Sequence, residues 1–138
     1  MNIEITSFTE SENYIKSLRD TVFVQEQGVP RELEWDGEDI RCIHVLARND
    51  SGIAIGTGRM RSDGKIGRLA VLLNWRGHGI GGKLLESLVN KAYECKLKSV
   101  YLHAQTYAIS FYEKYGFRKE GAEFIEAGIS HVKMVKNL

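Results

Sequence analysis

Apolar and polar positions repeat with a period near two in some stretches of the chain and near 3.6 in others, and the changes of period mark out its elements. Asn2 to Thr6 predicts a short first strand. Thr9 and Glu12 match a capping box and set a helix start there. Tyr14, Ile15, Leu18 and Val22 then recur at helical spacing, which predicts one buried face. This helix fades before Gly28 and Pro30, because the residue before a proline avoids the helical region. Arg31 to Arg41 is acidic and poorly periodic, and reads as a loop, at most with a short helix, held by Trp35 and Ile40. Ile43 to Arg48 and Ile53 to Met60 predict strands around a turn at Asn49–Gly52. Asp63-Gly64 supplies the residues of a second hairpin turn. Lys65 to Trp75 is the next strand, and its run from Leu69 to Leu73 predicts burial on both faces.

Gly79 to Cys95 follows as a helix with Leu84, Leu85, Leu88, Val89 and Ala92 on one face. Ser99 to Gln105 is a strand, and Ala108 to Tyr115 a short helix that Gly116 closes. Arg118 to Ile125 and Ser130 to Val135 form a last hairpin around Ala127-Gly128. The order predicts an α/β fold (mixed α+β), one mixed sheet with helices on both faces.

Composition narrows the function classes. The chain has 138 residues, 43% hydrophobic and 27% charged, which is ordinary for one domain with its own core. A net charge of +1 gives no reason to expect nucleic acid or an anionic membrane as partner. No apolar run is long enough to span a bilayer, and no signal peptide is visible because Glu4 and Glu10 interrupt the N-terminal apolar stretch. Cys42 and Cys95 make no CxxC pair and read as plain thiols of a reducing compartment. A cytoplasmic protein is expected. The histidines and cysteines lack the spacing of metal ligands, so no metal is expected.

Chemistry concentrates in Trp75-Arg76-Gly77-His78-Gly79-Ile80-Gly81-Gly82-Lys83, between a strand and an amphipathic helix. Helix N-termini expose unpaired N–H groups and the positive end of the dipole, and glycines let a phosphate approach them. Gly77, Gly79 and Gly82 satisfy the dinucleotide GxGxxG pattern, but the region some 20 residues on reads Leu102-His103-Ala104, without the carboxylate that pattern needs. Gly77 to Lys83 satisfies most of a P-loop, but Leu84 stands where a hydroxyl must bind magnesium.

The third fit is Arg76-x-x-Gly79-x-Gly81, which resembles the pyrophosphate-binding signature of the GNAT superfamily of N-acyltransferases. Leu102-His103-Ala104-Gln105 followed by Ala108-x-x-Phe111-Tyr112-Glu113-Lys114-Tyr115-Gly116-Phe117 resembles the family's second signature. Phe23-Val24-Gln25-Glu26-Gln27 and Ala127-Gly128-Ile129-Ser130-His131 look like its YjcF/ElaA-type branch. Four blocks in order cover nearly the whole chain, so the resemblance implies a single GNAT domain over residues 1–138.

The resemblance implies transfer of an acetyl group from acetyl-CoA to an amine. The sheet would be mostly antiparallel, with the Leu69–Leu73 and Ser99–Gln105 strands parallel and then splaying apart, so that Leu69, Ala70 and Val71 lie against pantetheine, with the Val71 N–H on the thioester carbonyl. The amides of Arg76, Gly77, His78, Gly79, Ile80, Gly81 and Gly82 would hold the pyrophosphate. Gln105 would bond to pantetheine, Ala108 leave room for the coenzyme, Phe111 border it, and Tyr112 serve as general acid at the sulfur. A homodimer is a further implication.

The general base and the acceptor stay open. Glu26 and His131 are candidates to face the acceptor, His131 because its titration range lies near neutrality. Arg68 is a candidate for a substrate carboxylate, while Gly67 replaces the acidic residue some relatives carry before it. His44 and His103 sit within strands and read as structural. The run Glu32, Glu34, Asp36, Glu38 and Asp39 either attracts a cationic amine or is a solvated loop, the commoner case. A non-catalytic acyl-CoA-binding or regulatory domain on the same scaffold is the alternative function, and a nucleotide-binding protein a third.

Overall fold

The structure, a computed structural model, describes residues 1–138. Strand β1 (Asn2–Thr6) leads into α1 (Phe8–Arg19), whose cap is Ser7 rather than Thr9: the Ser7 hydroxyl accepts from the Glu10 N–H at 3.1 Å. Both sites match the capping-box pattern. The earlier one sets Phe8 against His44, with ring centroids 5.7 Å apart and planes tilted by 37°. Ile15, Leu18 and Val22 form the buried face as expected, but Tyr14 is exposed and lies under the Arg48 guanidinium. Past Arg19 the helix widens into a π-helical segment, Asp20–Glu26, with Gln27 N–H reaching back five residues to the Val22 carbonyl. A short α2 (Arg31–Glu34) and a 3₁₀ turn (Asp39–Arg41) follow.

Antiparallel strands β2 (Ile43–Arg48), β3 (Ala54–Met60) and β4 (Ile66–Val71) join β1 in the order β1-β2-β3-β4. A 3₁₀ turn, Leu73–Trp75, leads to α3 (Ile80–Glu94). Then come β5 (Ser99–Gln105), α4 (Ile109–Lys114), β6 (Arg118–Glu126) and β7 (Ile129–Asn137), with strand order β5-β7-β6. The expected mixed sheet, mostly antiparallel with one parallel pair that splays apart, takes the form of two antiparallel sheets. They touch at one parallel bridge, Lys65 with Tyr101, where the Tyr101 N–H reaches the Gly64 carbonyl at 3.1 Å. Beyond that bridge β4 and β5 part.

The parting has a local cause. Arg68 adopts a left-handed φ of 53°, unusual for a residue with a Cβ. The β3–β4 register slips by one residue between Thr57 and Arg59, so β4 carries a bulge that bends it away from β5. The expected two-faced burial of Leu69 to Leu73 does not occur either. The strand ends at Val71, only Ala70 of the run is fully buried, and Leu73 is exposed.

The core lies on the α3 side. Leu84, Leu85, Leu88 and Ala92 pack with Val45, Ala47, Met60, Val100, Leu102, Ala104, Val132 and Met134. Each fully buried leucine contributes about 1.5–3 kcal/mol. The opposite face of the first sheet, with His44 beside Phe8, is covered by α1, and the acidic segment folds under it.

Candidate active site

Val71 ends β4, and its backbone is set by ladder geometry. The Leu72 N–H bonds the Ile55 carbonyl at 3.0 Å, so Leu72 and Ile55 form a hydrogen-bonded pair. Such pairs alternate with non-bonded ones, so Val71, opposite Gly56, turns its N–H and C=O away from β3 and toward the gap left by β5. Its carbonyl is taken by the Arg76 Nε–H at 2.8 Å, which leaves the N–H as the polar group facing the gap.

The glycine turn follows. Gly77 and Gly79 have φ of 80° and 78°, and a Cβ at either would meet nothing within 4 Å. The first bond of α3 runs from Lys83 N–H to the Gly79 carbonyl, so the N–H groups from Gly77 through Gly82 have no acceptor in the protein. An open cradle of amides at the positive end of a helix dipole fits a diphosphate. The glycines are not equivalent, however. A Cβ on Gly82 would lie 1.8 Å from the Tyr115 hydroxyl oxygen, so Gly82 is there for the close approach of α3 to α4. A Cβ on Gly81 would be in ordinary contact with Phe111 at 3.6 Å, and Ile80 is buried in the core.

The gap opens into a cavity of about 410 Å³. Leu69, Arg68, Gln105, Ala108, Tyr112 and His131, all singled out from the sequence, line it. Phe111 instead packs edge-on against Tyr112, with centroids 5.1 Å apart, and steadies that ring. Tyr112, half-buried, lines the cavity. Burial, with a smaller effect from Tyr107, pushes the Tyr112 phenol up to about 12. Gln105 donates its side-chain amide to Gln27 at 3.0 Å, tying the end of β5 to the end of the π-helical segment.

Glu26 is bound differently from the expectation. It accepts from the Arg76 Nη2 at 2.8 Å, beside the amide cradle and away from the cavity wall. Arg76 thus bridges the end of β4 and the π-helical segment, and holds the turn from both sides.

The acidic segment is only partly the solvated loop expected: Glu32 and Asp36 are exposed, whereas two of its carboxylates are drawn into the protein. Glu34 and Asp39 are buried, and so are Arg19 and Arg59. Arg19 donates to Glu34 at 2.7 Å and to Asp39; Arg59 donates to Asp39 at 2.9 Å and to both oxygens of Asp36. Arg68 lies 3.1 Å from Glu34 and 3.3 Å from Asp36. Both carboxylates face the Arg68 guanidinium, although its buried Nε makes no hydrogen bond. Trp35 covers Arg19, its ring centroid 4.6 Å away, whereas Ile40, the other expected anchor, is exposed. The sequence held a signal for this network: Arg19 stands four residues after Ile15, on the buried face of α1.

His131 is buried, its Nδ1 2.7 Å from the Ile129 carbonyl. His103, read from the sequence as structural, lines the cavity with its Nδ1 2.8 Å from Glu126. No group of three or more His, Cys, Asp or Glu side chains is gathered as metal ligands would be. No helix is long and apolar enough to cross a membrane.

Parallel strands that part over a cavity, next to an amide-lined helix start, are the architecture of the acyl-CoA N-acyltransferases. Comparison with known proteins agrees. A family model described as an acetyltransferase (GNAT) domain matches residues 9–138. The chain is 37% identical over 124 residues to the uncharacterized N-acetyltransferase YjcF of Bacillus subtilis (strain 168), covering 87% of this chain and 88% of that protein. An acyl-CoA N-acyltransferase from Pseudomonas aeruginosa superposes with a TM-score of 0.86 at 28% identity, covering 99% of each chain. Escherichia coli ElaA gives a TM-score of 0.89 at 25% identity, covering 99% of this chain and 100% of that one. The chain belongs to the GNAT acetyltransferase family.

Proposed function

We propose that this protein transfers an acetyl group from acetyl-CoA to an amine, directly, with both substrates bound together. The observation that carries this reading is the run of unpartnered N–H groups from Gly77 through Gly82, opening beside a cavity that Tyr112 lines. Family membership brings acyl-CoA as the donor class.

The residues divide the work as follows. The amides of Gly77 to Gly82 hold the diphosphate, and the parted edges of β4 and β5 take pantetheine as an added strand would lie. The Val71 N–H polarises the thioester carbonyl as negative charge develops on its oxygen. Holding the amine and the thioester in line removes much of the barrier. The C–N bond forms, the C–S bond breaks, and Tyr112 delivers its proton to the departing sulfur. A phenol pushed up to about 12 stays protonated throughout the physiological range, as that role requires.

The test is incubation with acetyl-CoA and a panel of primary amines (amino acids, diamines, aminosugars), following free thiol, beside the same assay on Tyr112→Phe. Amine-dependent thiol release that falls about tenfold to a thousandfold in the variant, at unchanged coenzyme affinity, is the expected result. Acetyl-CoA binding without release from any amine contradicts an enzyme, and leaves a coenzyme-binding domain.

A further inference from the structure

The cavity holds a proton-accepting group that the sequence does not advertise. On β5, side chains alternate between the core and the opposite face. Val100, Leu102 and Ala104 go inward, and Tyr101, His103 and Gln105 go outward. Ladder pairing puts His131 opposite Gln105 and Phe124 opposite His131, on that same outward face, and Glu126 lies two residues beyond Phe124. His103, Glu126, His131 and Tyr112 all line one cavity.

Three contacts hold the His103 ring. Glu126 Oε2 lies 2.8 Å from Nδ1, Phe124 meets the ring edge-on at 5.0 Å, and Tyr101 flanks it at 6.5 Å. An ionised carboxylate only accepts hydrogen bonds, so Nδ1 is the donor in this pair, and in the neutral ring Nε2 then keeps its lone pair. Nε2 has no partner in the protein. A histidine fixed this way by a carboxylate is oriented for proton abstraction, and the carboxylate stabilises the cation that results.

We infer that His103, positioned by Glu126, is the general base that takes the proton from the acceptor ammonium. This rests on the acetyltransferase reading above. The ammonium gives a proton to His103 Nε2, and the freed nitrogen lone pair attacks the thioester carbon. The C–S bond then breaks and the sulfur takes the Tyr112 proton. The new amide nitrogen returns a proton to the phenolate, and His103 releases its own to water. Protons and charge balance, with one proton liberated per turnover.

Other groups near the ring are less suited. His131 is buried, and its Nδ1 rests on a neutral carbonyl rather than a carboxylate. Lys133, paired in register with His103, is drawn away to Glu120 at 3.3 Å and lies over Tyr101. Lys65, just before β4, is pushed down by burial, which the Glu126 charge partly opposes, but no carboxylate hydrogen-bonds it to stabilise a regained charge. The phenol of Tyr101 is engaged with Asp63 at 2.6 Å, and Asp63 holds Arg61 at 2.7 Å. That leaves His103 as the ring with both a free nitrogen and an anionic partner.

The experiment combines a spectrum with kinetics. Nitrogen-15 NMR of the free protein above neutral pH should show His103 with its proton on Nδ1, and this signature should be lost in Glu126→Ala. With acetyl-CoA and the fastest amine of the panel, His103→Gln should lower kcat about a hundredfold to a thousandfold and change the KM for acetyl-CoA by less than about twofold. The same variant should remove the acid limb of the kcat/KM profile. Glu126→Ala, a substitution at a part-exposed strand end, should lower kcat in the same direction with its melting temperature retained. The inference is overturned by a proton on Nε2 in the wild type, by an unaltered pH profile in His103→Gln, or by loss of the acid limb in Lys65→Met instead. A wild type that transfers to no amine overturns the acetyltransferase reading, and this inference with it. Normal wild-type transfer with an indifferent His103→Gln overturns this inference alone.

Discussion

Tyr112 draws its chemistry from being kept from water. Its folded value, about 12, lies above the ordinary 10.0, so folding favours the protonated phenol. The sign follows from linkage. As pH rises from 10 toward 12 the unfolded chain ionises first, so the stability tied to this group is intact below 10 and lost through that window. Chemical denaturation from pH 9 to 12 should therefore show a shallower decline for Tyr112→Phe than for the wild type, and parallel declines would mean the phenol is not withdrawn. Arg76 offers a second test. Its ion pair with Glu26 is part-exposed, the kind worth about 0–1 kcal/mol, and it competes with an incoming diphosphate for the same guanidinium. Glu26→Gln should tighten CoA binding by up to about fivefold, read by calorimetry. Weaker binding in that variant would mean that Glu26 orients Arg76 for the ligand.

The start of α3 carries the function at the level of elements, and its glycines separate into two kinds. Gly79→Ala adds a methyl to a left-handed residue at the mouth of the cradle, where there is room but strain. It should weaken CoA binding while leaving a folded protein. Gly82→Ala drives a methyl into Tyr115 and should cost about 1–3 kcal/mol of stability, seen as a lowered melting temperature. Equal effects of both on binding, with no loss of stability in either, would contradict this division. The α3 start was readable from the sequence because glycines followed by a leucine stripe have few other uses. Gly116 was readable for a similar reason: its φ of 88° closes α4 as expected. Other features were hidden. Two overlapping capping boxes differ only in what Phe8 packs on. The bulge at Arg68 falls on a residue with no glycine signature. Nothing in Leu69 to Leu73 tells a buried strand from one that stops at Val71 and exposes Leu73. His103 looked structural because alternation along β5 places a side chain on a face without saying whether a cavity lies there.

For the whole molecule, the buried ionic network ties α1, the acidic segment and β3–β4 into one body beneath the cavity. Burial alone would push Asp39 up, but hydrogen bonds and charge from Arg19, then Arg59, hold it below its ordinary 3.8; Asp36 is held down against burial by Arg59 and Arg68. Depressed carboxylates contribute stability that is present above their ordinary value and lost as pH falls below it. Urea midpoints should thus fall steeply below about pH 4, after a smaller decline between pH 7 and 5 that comes from His44, whose burial favours the neutral ring. Arg19→Ala leaves Glu34 and Asp39 buried without it and should cost about 3–5 kcal/mol; a loss under 1 kcal/mol would mean that the network is wetter than its burial indicates. Charge counting along the sequence does not reveal such a network, since its arginines come from α1, β3 and β4 and meet the acidic segment only in three dimensions. The two sheets, their single bridge at Lys65 and Tyr101, and the cavity between them likewise depend on the long-range fit of β4 against β5.

Every catalytic assignment above depends on the amides at the head of α3 gripping the diphosphate of a coenzyme. Isothermal titration of the wild type and of Gly79→Ala with acetyl-CoA tests this most directly. Saturable one-to-one binding to the wild type, weakened in a variant that melts as a folded protein, is the expected result. A wild type with no heat of binding at millimolar acetyl-CoA, or a Gly79→Ala protein that binds as well as the wild type, would contradict it.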